Sequence, residues 1–151
     1  RTIRTWVTIG LLVQVAAPWR TLSFAVTNAV TQSGDTIFIA VGLYEENPAI
    51  PSDRMLSLHG GYDAASWERE SGGWSVVRAG APAADVLTCA ARSGTFSGLV
   101  LTGGRCGLAV PTIPSALGSG FYQVDRCIVS NNASHGVYVN SWRSALRLRN
   151  A

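Results

Sequence analysis

Three residues in the C-terminal third of the chain are the first candidates for catalysis. Asp125 and Arg126 are neighbours in a β-prone run, and His135 stands in the turn that follows this run. A carboxylate and an imidazole can transfer protons, and a guanidinium can bind an anionic group. Because adjacent strand residues point to opposite faces, Asp125 and Arg126 can face one ligand only where a bulge separates them. The structural alternatives are a surface ion pair and a solvated turn histidine.

A second candidate site, for carbohydrate binding, involves Asp63, Trp67 and Arg126. Asp63 and Trp67 stand in one loop together with the charged residues 68–70. A tryptophan ring can pack on the apolar face of a sugar, and an outward Arg126 could bind an anionic sugar. The alternative for the loop is that it packs against the neighbouring strand and has a structural role.

The acidic residues are scattered along the sequence and form no evident pair. They are Asp35, Glu45, Glu46, Asp53, Asp63, Glu68, Glu70, Asp85 and Asp125. Asp35 precedes a predicted strand, where a turn acceptor is expected. Glu45 and Glu46 are predicted to form a solvated edge, and His59 is predicted to be a strand-end residue.

The composition excludes several classes of function. All 12 basic residues are arginine, which excludes a Schiff-base lysine and a Walker-type phosphate lysine. The sequence contains no HExxH or GxSxG motif and no nucleic-acid-binding module, and three C-terminal arginines do not make a basic patch. The longest apolar stretch, 9–17, is far shorter than the ~20 residues of a membrane helix. We therefore predict no nucleic-acid partner and no membrane span.

The three cysteines, Cys89, Cys106 and Cys127, leave two interpretations open. An odd number allows at most one disulfide and one free thiol. The other interpretation is that all three are small buried hydrophobic residues. No pair has C-x-x-C spacing and no histidine stands at zinc-ligand spacing, so we predict no metal site.

One helix is predicted, over 21–32. The apolar residues Leu22, Ala25, Val26, Ala29 and Val30 recur there at steps of three and four residues, which places them on one helix face.

The rest of the chain reads as short strands separated by turn residues. They are predicted at 36–40, 55–59, 75–78, 86–90, 96–102, 122–130, 136–139 and 145–148. Many short strands without a second helix indicate an all-β sandwich, barrel or solenoid.

The spacing of apolar residues favours a solenoid among these classes. Roughly twenty residues separate Ile39 from Leu58, Leu58 from Val77, and Val129 from Leu148. A repeat of this length, built from strands and turns, must stack on its neighbours to bury its apolar face. A β-sandwich with coincidental spacing is the alternative.

Several segments resemble right-handed parallel β-helix proteins of the pectin-lyase-like group. The opening segments 18–22 (PWRTL), 34–40 (GDTIFIA) and 44–47 (YEEN) resemble the N-terminal cap and first rung of that group. The segments 56–63 (LSLHGGYD), 96–104 (FSGLVLTGG) and 124–132 (VDRCIVSNN) resemble its later rungs. The segment 5–8 resembles the strand that precedes the cap, whereas 10–17 and 107–119 depart from the group's pattern.

The resemblance implies a right-handed parallel β-helix with an N-terminal capping α-helix, truncated at its C-terminus. It implies one module, with the N-terminal strand and cap helix in 1–35 and the rungs in 36–151. A column of inward residues would form the core, and Asn131 or Asn132 would turn inward. The predicted core residues are Ile37, Ile39, Leu56, Leu58, Val76, Leu99, Leu101, Cys127 and Val129.

The resemblance also sets the functional expectation. Enzymes of the group are mostly polysaccharide lyases and glycoside hydrolases; hydrolysis needs paired carboxylates, and the lyases use acidic calcium ligands. Since the acids here are scattered, we predict no cofactor; calcium is left open as an alternative that no residue pattern supports. The expected function is a non-catalytic fragment of a secreted or cell-surface β-helix protein, structural or carbohydrate-binding, with a polysaccharide partner.

Two alternatives to this expected function remain open. One alternative is the front portion of a lyase or hydrolase whose active site lies on rungs beyond residue 151. The other is a β-sandwich binding domain. The exposed last rung predicts end-to-end self-association.

Overall fold

The computed structural model describes residues 2–3, 19–112, 118–140 and 144–150. The predicted strand at 5–8 and the atypical segment 10–17 lie outside these ranges. Within them the chain forms one short helix, α1 (Leu22–Thr27), and otherwise strands and turns. The strands are β1 (Thr2–Ile3), β2 (Thr36–Ala40), β3 (Gly42–Glu45), β4 (Ala49–Ile50), β5 (Leu56–Tyr62), β6 (Ser75–Arg78), β7 (Leu87–Cys89), β8 (Ser93–Ser97), β9 (Leu99–Thr102), β10 (Cys106–Val110), β11 (Gly120–Asp125), β12 (Ile128–Ser130), β13 (His135–Val139) and β14 (Ser144–Arg149).

The strands form three parallel sheets that the chain enters in turn. Sheet A has the spatial order β1-β2-β5-β8-β11-β14, sheet B the order β3-β6-β9-β12, and sheet C the order β4-β7-β10-β13. From β2 to β13 the chain passes through A, B and C repeatedly, and at β14 it returns to A. All pairings between named strands in the described residues are parallel. The all-β prediction is confirmed, and the β-sandwich alternative is wrong because a sandwich pairs its strands antiparallel.

The core lies between the three sheets and is built from residues in register. In sheet A, Ile37 pairs with Leu58, Leu58 with Phe96, and Phe96 with Val124, and all four side chains are buried. Parallel pairing places equivalent side chains ~4.8 Å apart, so each inward residue packs on the next. The predicted core residues that are buried are Ile37, Ile39, Leu56, Leu58, Leu99, Leu101 and Cys127.

Two of the predicted core residues are not fully buried. Val129 is partly buried and packs against the core. The prediction for Val76 is wrong: Val77 is buried in its place, and Val76 lies on the outer side. A strand alternates its faces, so an error of one residue in register exchanges inside and outside.

The helix is half as long as predicted, because local hydrogen bonds end it at Thr27. The backbone of Asn28 has left the helical region, and its side-chain oxygen accepts a hydrogen bond from the Val30 N–H. Arg54 Nη1 donates to the carbonyls of Val26 and Asn28, which lack helical partners at this end. Of the predicted apolar face, Leu22, Ala25 and Val26 are buried, whereas Ala29 and Val30 lie beyond the helix and are exposed.

Two predicted long strands are each divided at a left-handed residue. The prediction over 96–102 becomes β8 and β9, separated by Gly98 with φ +67°. The prediction over 122–130 becomes β11 and β12, separated by Arg126 with φ +48° and by Cys127. At both places the chain turns from sheet A to sheet B, so a turn in the path replaces the predicted continuous strand.

The predicted repeat of roughly twenty residues does not describe the register. Leu58 pairs with Phe96 in sheet A, whereas Val77 belongs to sheet B and pairs with Leu101. The circuits differ in length because the loops between the sheets differ, most clearly the loop that follows β5. The atypical segment 107–119 also contributes regular structure, because the buried strand β10 extends through its first residues.

Glu46 is an anchor for α1 and not part of a solvated edge. Its carboxylate accepts hydrogen bonds from the backbone N–H groups of Leu22 and Ser23 at 2.7 and 2.8 Å, and from the Ser23 hydroxyl at 2.6 Å. These N–H groups belong to the first turn, where a helix has no internal acceptors and favours a negative charge. Glu46 therefore joins the helix to the segment between β3 and β4.

We expect Glu46→Ala to lower the free energy of unfolding by about 2 kcal/mol, the upper range for loss of a helix N-terminal acceptor. Urea unfolding followed by circular dichroism measures this loss. Glu45→Ala is the matched control, since Glu45 is exposed and its ion pair with Arg78 is a surface contact at 3.3 Å. Equal losses in the two variants would contradict the anchoring role.

Candidate functional site

The outer face of sheet A presents two rows of mostly polar side chains in register. One row contains Thr36, Ser57, Thr95, Gln123 and Arg147, and the other contains Phe38, His59, Ser97, Asp125 and Arg149. In β2, β5, β8 and β11 these residues alternate with the inward core residues and therefore lie on the outer side of the sheet. Ser97 is nevertheless buried, at 3% exposure, beside His59, and on β14 the register continues both rows. With a strand spacing of ~4.8 Å, five strands extend over about 19 Å. We call these ten residues the sheet A face.

His59 lies near the centre of the sheet A face. Its Nδ1 atom is 2.7 Å from the hydroxyl oxygen of Ser97, its register partner. Burial lowers the pKa of His59, and the positive charges of Arg69 and Arg126 lower it further. The imidazole is therefore mainly uncharged at neutral pH. On the other side of His59, the ring of Phe38 lies 6.0 Å away between ring centres.

Arg69 reaches the edge of this face from the loop that follows β5. Its Nη2 atom donates to the carbonyl of Gly60, and its guanidinium carbon lies 5.8 Å from the ring centre of Tyr62. The loop is held by backbone hydrogen bonds, including one from Glu70 N–H to the Gly61 carbonyl. A cation fixed beside an aromatic ring is thus placed next to His59.

Asp63 and Trp67, the predicted sugar-binding pair, lie in the same loop. Asp63 Oδ1 accepts hydrogen bonds from the N–H groups of Ala65 and Ser66 and from the Ser66 hydroxyl. The hydrogen bond from the Ser66 N–H is the largest cause of the lowered pKa of Asp63. Trp67 adopts a left-handed conformation, with φ +58°, and is half-buried. The Asp63 carboxylate therefore shapes the loop that carries Arg69.

Asp125 and Arg126 do face the same side, because the left-handed turn at Arg126 supplies the required break. Arg126 Nε lies 3.6 Å from Asp125 Oδ2, so the two residues form the surface ion pair considered from the sequence. The Arg126 side chain is 51% exposed and that of Asp125 is 26% exposed. Arg126 keeps an accessible guanidinium at the edge of the sheet A face.

His135 lies apart from these two residues, at the start of β13 in sheet C. Its Nδ1 atom is 2.7 Å from Ser134 Oγ and 3.9 Å from Cys106 Sγ. Burial is the largest cause of the raised pKa of Cys106, so the thiol stays protonated near neutral pH. The structure therefore does not bring His135 together with Asp125 and Arg126.

The cysteines follow the buried-hydrophobe interpretation. Cys89, Cys106 and Cys127 are all free and buried. Burial raises the pKa of Cys89 to about 12 and is the largest cause of the raised pKa of Cys127. Neither thiol is ionised at neutral pH, which leaves both as packing residues.

The charge within the two rows is net positive, because Arg147 and Arg149 stand against the single carboxylate of Asp125. At the edge of the face, Arg126 pairs with Asp125, and Arg69 shares its loop with Asp63, Glu68 and Glu70. Arg147 and Arg149 are exposed. From the sequence, Arg147 and Arg149 are too few for a basic patch and Arg69 is one charge of a mixed loop. Their positions beside the two rows depend on strand register and loop folding, which sequence spacing does not give.

Neither a metal site nor a membrane-spanning helix is found in the described ranges. No group of three or more His, Cys, Asp or Glu residues there is arranged to hold a metal ion. None of the helical structure described is long and apolar enough to cross a bilayer. No protein-family model matches the sequence, and neither the curated proteins nor the solved structures include a match to it.

Proposed function

We propose that the chain is a right-handed parallel β-helix of the pectin-lyase-like kind that binds an acidic polysaccharide on the sheet A face. The cyclic path through three parallel sheets supports the β-helix. Crossover connections between parallel strands are almost always right-handed, which supports the hand. We include in this proposal a location at the cell surface or outside the cell, where such polymers occur.

The helix α1 is proposed as the cap of the first rung. Its buried residues Leu22, Ala25 and Val26 belong to the same core as the inward residues of the sheets. The helix contacts β4, the edge strand of sheet C, and Glu46 ties its first turn to the chain just before β4. A helix in this place shields apolar groups at one end of the stack.

The observation that carries the proposed function is the alignment of arginine, hydroxyl and aromatic side chains on one extended face. A linear polymer can lie across successive strands, with its hydroxyl groups near Ser57, Thr95 and Gln123. Its carboxylates can bind the guanidinium groups of Arg126 and Arg147, since guanidinium geometry matches carboxylates. The exposed guanidinium groups and the row of polar side chains therefore both fit an acidic sugar chain.

Binding fits this face better than hydrolysis does. Glycoside hydrolysis uses two carboxyl groups about 5–10 Å apart on either side of the sugar bond. In the two rows of the sheet A face Asp125 is the one acidic residue, and its partner is the cation Arg126. The two rows therefore lack the pair of carboxyl groups that hydrolysis uses.

We expect Arg126→Gln and the double variant Arg147→Gln/Arg149→Gln each to weaken binding of polygalacturonate by about tenfold or more, which corresponds to ~1.4 kcal/mol. Isothermal titration calorimetry at two salt concentrations measures this, and the affinity should fall as salt rises. Arg78→Gln is the matched control, because Arg78 is an exposed arginine on sheet B.

Three results would overturn the proposed function. The first is that polygalacturonate does not bind, and the second is that Arg78→Gln weakens polygalacturonate binding as much as the sheet A variants do. The third is release of reducing or unsaturated sugar ends that Asp125→Ala abolishes, which would favour the enzyme alternative.

A further inference from the structure

An open depression lies on the outer face of sheet C, on a different side of the molecule from the sheet A face. It has a volume of about 400 Å³, within the ~300–1,000 Å³ range of small-molecule sites. Its floor is a registered row of β7, β10 and β13, in which Thr88 pairs with Ala109 and Ala109 with Tyr138. Because Thr88 and Ala109 are small, a recess opens beside the larger Tyr138 ring.

Arg105 is held in a fixed orientation at this depression. Its Nε and Nη2 atoms donate to the two carboxylate oxygens of Asp85 at 2.9 and 2.8 Å, and the Cys106 N–H also donates to Asp85. The Asp85 side chain is 12% exposed, whereas that of Arg105 is 60% exposed. The two bonds use Nε and Nη2 and leave Nη1 to donate to a ligand. The donor is therefore oriented before any ligand binds.

The charge at this depression is balanced, which favours an uncharged ligand. The Arg105 guanidinium pairs with the Asp85 carboxylate in a bidentate ion pair. An anion would meet the nearby carboxylate, and a cation would meet the guanidinium. A neutral polyhydroxyl ligand can accept from Arg105 and exchange hydrogen bonds with Asn140 and Thr88, which also line the depression.

Tyr138 supplies the apolar surface that such a ligand needs. Its side chain is 40% exposed and lies at the edge of the recess. The ring of His135 packs beside it, with 5.2 Å between ring centres. A sugar ring carries C–H groups that pack on an aromatic face and hydroxyl groups that bond to polar side chains at its edge.

We propose that this depression binds a neutral sugar unit, with Tyr138 as the stacking platform and Arg105 and Asn140 as hydrogen-bond donors. The site is independent of the proposed function, because none of its residues belongs to the sheet A face. It assigns to the chain a second carbohydrate site with a different preference, for uncharged instead of acidic sugars.

The test is a nuclear magnetic resonance titration of the ¹⁵N-labelled protein with cellohexaose, xylohexaose and mannohexaose. We expect at least one of them to bind with a Kd on the order of 1 mM or below and to shift amide signals of β13. Tyr138→Ala should weaken this binding at least tenfold, and Tyr138→Trp should retain it, which separates loss of the ring from loss of folding. Phe121→Ala is the control, since Phe121 is a comparably exposed aromatic residue on sheet A.

Three results would overturn this site. They are the absence of binding by all three hexasaccharides, shifts confined to sheet A, and an unchanged Kd in Tyr138→Ala. Polygalacturonate binding is measured on the same samples. Its loss in Arg147→Gln/Arg149→Gln tests the sheet A face independently of the sheet C depression.

Discussion

Gly98→Ala is expected to lower the free energy of unfolding by about 3 kcal/mol or more, because it combines backbone strain with a steric clash. Gly98 has φ +67°, and a Cβ atom at this position would overlap the Gly60 carbonyl oxygen and the Arg69 guanidinium. The Gly60 carbonyl belongs to a strand and cannot move away without disturbing the register of β5 with β8. The same change should weaken polygalacturonate binding, because it displaces Arg69.

Gly72→Ala separates the effect of backbone strain from the effect of the steric clash. Gly72 has φ +80°, but a Cβ atom there would meet nothing within 4 Å. This variant should lose only the conformational part, roughly 1 kcal/mol. Urea midpoints of both variants, measured with polymer affinity, test the argument. If Gly72→Ala lost as much stability as Gly98→Ala, the close approach of Gly98 to Gly60 would have no energetic role.

The turn at Gly98 also shows which strand boundaries could not be predicted from the sequence. Alternation of apolar residues located β2 and β6 with their observed bounds, because each is a single straight segment between glycine-marked turns. The same alternation continued across Gly98 and Arg126, where one left-handed residue turns the chain into the next sheet. A single turn residue leaves the alternation of apolar residues almost unchanged, so the turn is not recognised in the sequence. Arg126 is also neither Gly nor Asn, the residues that usually indicate a left-handed conformation.

The register could not be obtained from spacing, because loops of unequal length separate the strands. Leu58 and Val77 are about as far apart in sequence as the other repeated pairs, yet they belong to different sheets. The pairing of Leu58 with Phe96 depends on the long loop after β5, whose length carries no periodic signal. Tertiary packing of both residues into one core decides the register.

The candidate site was predictable only in part, for the same reason. Asp125 and Arg126 were identified from residue type, and the condition that a break must separate them is met by the conformation of Arg126. The sequence predicts only a strand-end residue at His59, because its pairing with Ser97 and the approach of Arg69 come from register and loop folding. A site assembled from distant segments has no local sequence signature.

Leu58→Ala is expected to have the other large effect, a loss of about 3–4 kcal/mol in the free energy of unfolding. Leu58 is 1% exposed and lies in the middle of the sheet A column, between Ile37 and Phe96. Removal of its side chain leaves a cavity that neighbours on adjacent strands cannot fill, since hydrogen bonds fix their spacing. Urea unfolding measures the loss, and a change below about 1 kcal/mol would contradict burial of Leu58 in a packed column.

Leu148→Ala is the matched control, because Leu148 continues the same column on β14 but is 53% exposed. In dilute protein its truncation should cost less than about 1 kcal/mol, since little apolar surface leaves water at this position. Leu146 is also partly exposed, so β14 has an apolar surface, and we propose that the self-association expected from the sequence uses it. We therefore expect sedimentation velocity to show weaker self-association of Leu148→Ala than of the unaltered chain at high concentration. Equal self-association of the two proteins would place the contact elsewhere. If Leu148→Ala lowered the free energy of unfolding in dilute protein as much as Leu58→Ala does, Leu148 would have to be covered in the monomer.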